Sequence, residues 1–169
     1  FEAPNWDMEQ LAIARKALND LAVLGFETTY AFGTKEEVQP IEHLVGAAAG
    51  WGGLPATAAM YILDSVEKND GETPHALTVK DVPVDAFWSI TVYNADGYLE
   101  ANDLGVNSLN NFSAEPNEDG SYTIQFGGDP KSANYLPITV DWNYAVRLYE
   151  PREEILDGSW TFSYPQPVE

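Results

Sequence analysis

The chain has 169 residues, 44% of them hydrophobic, and no cysteine; its formal net charge is -19, from 27 acidic against 8 basic residues. That length suits one domain burying about two-thirds of its unfolded surface, and the missing cysteines exclude disulfides, thiolate metal sites and a cysteine nucleophile. The acidity repels phosphate backbones and anionic membrane surfaces, and no run of about 18 apolar residues could span a bilayer, so neither nucleic acid nor membrane is an expected partner.

The first fifty residues read as helical. Asn5 or Asp7 can cap an N-terminus, with Glu9 in the first turn. Met8, Leu11, Ala14, Leu18 and Leu21 then recur at spacings of three and four, forming one apolar stripe opposite Arg15, Lys16, Asn19 and Asp20. Gly25 falls where a left-handed C-cap belongs. A second helix is expected from about Thr34, or from Val38 if Pro40 shifts the start, running through Ile41, Leu44 and Val45 to a stop at Gly50–Gly53. No signal-peptide pattern follows Phe1, so further chain upstream is expected.

From Met60 onward the pattern changes to strands and turns. Residues 60–63, 75–80, 87–93, 122–126 and 144–149 are rich in β-branched and aromatic side chains. Between them stand Asn69-Asp70-Gly71, Ala95-Asp96-Gly97 and Glu118-Asp119-Gly120, each with the chemistry of a tight turn. The expected fold is α+β, mainly β: N-terminal helices (1–50) followed by an antiparallel β-sandwich or jelly-roll-like region (51–169), together one domain.

Two strands differ between their faces. In the first, Trp88, Ile90 and Val92 suit an interior, while Phe87, Ser89, Thr91 and Tyr93 mix rings with hydroxyls, as in the wall of a ligand site. In the second, Tyr144, Val146 and Leu148 oppose Ala145, Arg147 and Tyr149. A mid-strand arginine needs a partner. Arg147 either presents a fork to a ligand carboxylate or phosphate, or pairs with an internal Asp or Glu that fixes the fold. If the two strands share a sheet, Thr91, Tyr93, Arg147 and Tyr149 converge on one polar cavity, and an aromatic face such as Trp51 could stack on a sugar ring; otherwise these aromatics simply fill the sandwich.

Other chemistry finds little footing. Asn94, Asp96 and Glu100, or Asn117, Glu118 and Asp119, invite a calcium reading, but neither loop has EF-hand spacing and hairpin turns explain both. His43 and His75 are too far apart in sequence to suggest a metal pair, so no metal or other cofactor is expected. No Gly-x-Ser-x-Gly elbow or P-loop occurs.

Several motifs, in order, carry a resemblance. They are Gly50 to Pro55, then Ala58-Ala59-Met60-Tyr61, the Asp70-Gly71 turn, the Pro83–Tyr93 segment and Asn102. Asp119-Gly120-Ser121, Asn134 to Pro137, Arg147 to Pro151 and Ile155 to Trp160 complete the set. Over roughly residues 46–165 the chain resembles the bacterial family known as domain of unknown function 1214. Tyr135 departs from the family's usual Trp, and Glu150 from the aromatic that often precedes the Pro. The resemblance implies a β-sandwich or jelly-roll fold, often beside a second domain upstream, and brings no reaction or cofactor with it.

The expected function is binding of a small polar ligand, a saccharide or carboxylate, by an exported (periplasmic or extracellular) domain through Arg147, Tyr149, Tyr93, Thr91, Trp51 and Asn102. Two alternatives stand beside it: a hydrolase or lyase using Arg147 and a tyrosine with a nearby carboxylate, and an assembly protein whose apolar helices meet another copy or a partner domain.

Overall fold

A computed structural model describes residues 4–25, 30–50 and 52–168. The chain divides into two compact units, residues 1–58 and 59–169. In the first, α1 (Met8–Val23) starts at Asp7, whose carboxylate accepts from the amides of Glu9 and Gln10 at 3.1 Å. Leu24 closes it, followed by Gly25 at φ +81°. The stripe expected on α1 exists, but none of its residues is fully buried. The second helix, α2 (Pro40–Gly50), begins at the proline itself. Pro40 stands at the first helical position, where a missing N–H costs nothing because that donor has no intrahelical partner anyway. Thr34 to Glu37 form a turn instead, with the Glu37 carboxylate accepting from the Thr34 amide.

The second unit is two four-stranded sheets. Sheet A runs β1 (Ala59–Ser65), β7 (Asn143–Pro151), β3 (Val84–Tyr93), β4 (Ser108–Asn110) across its width. Sheet B runs β6 (Tyr135–Leu136), β5 (Tyr122–Phe126), β2 (His75–Val79), β8 (Gln166–Pro167). All pairings are antiparallel except β5 with β6, so the expected antiparallel sandwich carries one parallel edge. A short helix, α3 (Glu153–Leu156), follows β7.

Alternation along the strands decides the layers. Trp88, Ile90 and Val92 of β3 and Tyr144, Val146 and Leu148 of β7 turn inward and meet Leu77, Val79, Ile124, Phe126 and Leu136 of sheet B in one core. Trp142 stacks on Phe126 with centroids 5.1 Å apart. The Asn69–Thr73 turn is drawn against the segment before β7: Asn69 donates to the Trp142 carbonyl at 3.1 Å, and its own carbonyl accepts from Asp141. Gly71 sits there at φ +79°, where a Cβ would come within 2.6 Å of the Val140 backbone nitrogen.

Candidate functional site

With one set of side chains committed to the core, the other set must form the outer face of sheet A. The register places Tyr61, Arg147, Ser89 and Asn110 in one row across the four strands. The next row holds Leu63, Ala145, Thr91 and Ser108, and the row beyond that Ser65, Asn143 and Tyr93. On the other side of Arg147 lie Ala59, Tyr149 and Phe87. Thr91, Tyr93, Arg147 and Tyr149 therefore share a face.

Arg147 is half-buried on this face. One terminal nitrogen, Nη1, donates to Thr91 Oγ1 at 3.1 Å, and Nη2 donates to Tyr93 Oη at 2.7 Å. The guanidinium thus reaches one row along, over the small Ala145, which pairs with Thr91. The Tyr93 ring lies alongside, 6.0 Å from centroid to guanidinium carbon. Among the described residues no acid lies within ion-pair distance of Arg147; the pairs that form are Lys16–Asp20, Lys80–Asp119 and Arg152–Asp85. The internal salt bridge considered for Arg147 is not what holds it. Hydroxyls hold it instead.

The hydroxyl order is fixed by chemistry. Ser108 Oγ donates to the Ile90 carbonyl at 3.0 Å, and a carbonyl can only accept. Thr91 Oγ1, 3.0 Å from Ser108 Oγ, must then spend its one hydrogen on that oxygen, while accepting from Arg147. Tyr93 Oη accepts from Arg147, so its own hydrogen points elsewhere, and no described residue takes it.

Two neighbouring features complete the surroundings. Tyr149 stacks on Phe87 at 4.3 Å, and Phe87 meets Phe112 at 6.3 Å, with Phe112 78% exposed. Past the other end of the face, a cavity of about 130 Å³ is lined by Tyr93, Asn94, Glu100, Asn102, Asn107 and the 137–139 segment among others. Tyr93 and Asn102 line it; Thr91, Arg147 and Tyr149 do not. The shared hydrophilic sides thus lie on one outer face, not around that hollow. Asn102 has its amide committed to its own loop, donating to the carbonyls of Glu100 and Val106 and accepting from the amides of Leu104 and Val106. Trp51 lies outside the described residues.

The turn carboxylates are engaged locally. Hydrogen bonds from the Thr73 backbone and hydroxyl and from the Glu72 amide lower Asp70 to about 2. The Ser121 hydroxyl, its amide and Lys80 likewise lower Asp119 to about 2. Asn94 accepts from the amides of Asp96 and Tyr98 and donates to Glu100. No group of three or more metal-ligating side chains stands together among the described residues.

Sequence reasoning missed Ser108 and Phe112, and met Glu100 only in the calcium reading of its loop. Ser108 sits on a three-residue strand too short to show periodicity. Its one signal is Leu109, alone between polar neighbours and turned toward the core.

The family described as "Protein of unknown function (DUF1214)" matches residues 57–153. No protein of curated function matches the sequence. Among solved structures, the VPA0106 protein from Vibrio parahaemolyticus overlays with TM-score 0.73 at 23% identity, covering 99% of this chain and 47% of that one. A protein from Burkholderia cenocepacia gives TM-score 0.47 at 19% identity, covering 97% of this chain and 42% of the other. The chain thus spans less than half the length of either protein, and the likeness to the first is one of fold.

Proposed function

The chain belongs to the family described as "Protein of unknown function (DUF1214)", and we propose that its sandwich binds a small polar ligand, a saccharide or carboxylate, on the outer face of sheet A around Arg147. One observation carries the reading. A half-buried guanidinium is fixed in mid-sheet by two hydroxyl groups, with no acid at ion-pair distance among the described residues, in a chain holding 27 acids. Sheet position and hydroxyl contacts pre-organise the fork, which lowers the ordering cost of binding. The stacked Phe87 and Tyr149 supply a flat apolar wall on the same face.

The test is a thermal-shift and calorimetric screen of saccharides and organic acids against wild type and Arg147→Gln. Saturable binding by wild type that the variant loses supports the reading. A folded wild type that binds no member of the panel refutes it.

A hydrolase or lyase reading draws on a separate observation, Glu100 sharing the cavity with Tyr93. It requires turnover of a substrate that Glu100→Gln abolishes without lowering the melting temperature.

A further inference from the structure

We infer that the Arg147 site selects a monoanionic carboxylate over a neutral polyol; the inference rests on the proposed ligand site and names its chemistry. A guanidinium offers five N–H groups and no acceptor. Arg147 uses one on Thr91 and one on Tyr93, and the rest find no acceptor among the described residues. Tyr93 accepts from Arg147, so toward a ligand it presents its O–H as a donor. Thr91 has spent its hydrogen on Ser108 and filled an acceptor position with Arg147. Ser108 has spent its own on the Ile90 carbonyl. Donors therefore outnumber acceptors at the guanidinium, where each hydroxyl oxygen that Arg147 already occupies keeps at most one further lone pair.

A sugar hydroxyl answers one N–H at a time and must still place its own hydrogen on one of the few lone pairs left there. A carboxylate has no hydrogen to place, accepts two parallel N–H bonds, and gains a charge-assisted pair. The composition of the face agrees. No Asp or Glu occupies an outward position in the register rows that run from Ala59–Tyr149–Phe87 to Ser65–Asn143–Tyr93. Those rows hold no carboxylate on a molecule of net charge -19, and Glu100 stands beyond them, in the cavity past Tyr93. That overall field still repels anions in proportion to their charge. A single negative charge meets half the long-range repulsion of a phosphomonoester dianion, which favours the monocarboxylate.

Calorimetric titration of the chain with matched pairs tests this: glucuronate and glucose, benzoate and benzyl alcohol, lactate and propane-1,2-diol, with glucose 6-phosphate as the dianion. The expected result is at least one acid binding tenfold or more tighter than its neutral counterpart and tighter than the dianion. Arg147→Gln should remove that preference, and Tyr93→Phe should weaken the acid several-fold with the melting temperature held. A neutral partner binding as tightly as its acid, or the dianion binding best, overturns the selectivity while leaving a ligand site in place. A folded protein that binds no member of any pair overturns the site as well.

Discussion

Glu150 sits at φ +52° inside β7, where an L side chain crowds its own backbone and the conformation costs about 1 kcal/mol. The other non-glycine residues at positive φ are Asp81, Asn134 and Asp141, types whose short polar side chains tolerate it. Glu150 stands opposite the bulge at Asp85–Ala86, where β3 takes three steps to β7's two. Glu150→Asn should therefore raise stability by about 0.5–1 kcal/mol, read as a higher melting temperature; a lower one contradicts the strain. Asn134 is the opposite case. Its amide donates to the Glu115 and Thr123 carbonyls and accepts from the Glu115 amide, so Asn134→Ala strands several polar groups and should cost about 2–4 kcal/mol in chemical denaturation. Arg147 was conspicuous in the sequence because charge in mid-strand is rare, but its partners were not. The sequence offered a ligand anion or an internal acid as its partner, and only the register, which sets Thr91 beside Ala145, brings the hydroxyls to it.

Strand alternation makes the sharpest claim about the elements. Trp88 is 2% exposed and faces sheet B, whereas its neighbour Ser89 faces outward beside Arg147. Trp88→Ala should cost about 3–5 kcal/mol, while Ser89→Ala should stay within about 0.5 kcal/mol; equal effects in denaturant melts would place the faces wrongly. Long strands were legible because five or more alternating residues leave a readable parity, as in β3 and β5. The short strands β4, β6 and β8 were not, since two or three residues carry no period and their pairing is decided by tertiary contacts. The turns add a pH signature. Asp70 and Asp119 are lowered from 3.8 to about 2 in the folded chain and return to the ordinary value when unfolded. The folded state then binds fewer protons in this window, so their contribution is full above about pH 4 and disappears as pH falls through 2. Asp70→Asn with Asp119→Asn should flatten the acid limb of stability against pH, and an unchanged limb would contradict the turn assignment.

For the whole molecule, a net charge of -19 imposes self-repulsion that salt screens beyond about 8 Å at physiological ionic strength. The melting temperature should rise between low and physiological salt; a fall would mean that attractive pairs dominate. Composition foretold this field, and the order of helices before strands was equally plain. Which outward face gathers Arg147 and its hydroxyl partners was not, because only the 1-7-3-4 strand order brings residues 87–93, 108–110 and 143–149 side by side. The most direct measurement is nitrogen-15 NMR of the arginine side chains during titration with glucuronate. With only Arg15, Arg147 and Arg152 in the chain, the Nε signals are few enough to assign by the Arg147→Gln variant. We predict a saturable shift of Arg147 with Arg15 and Arg152 unmoved. A still Arg147 signal while amides of the Asn94–Asn107 loop respond would contradict a binding site on sheet A.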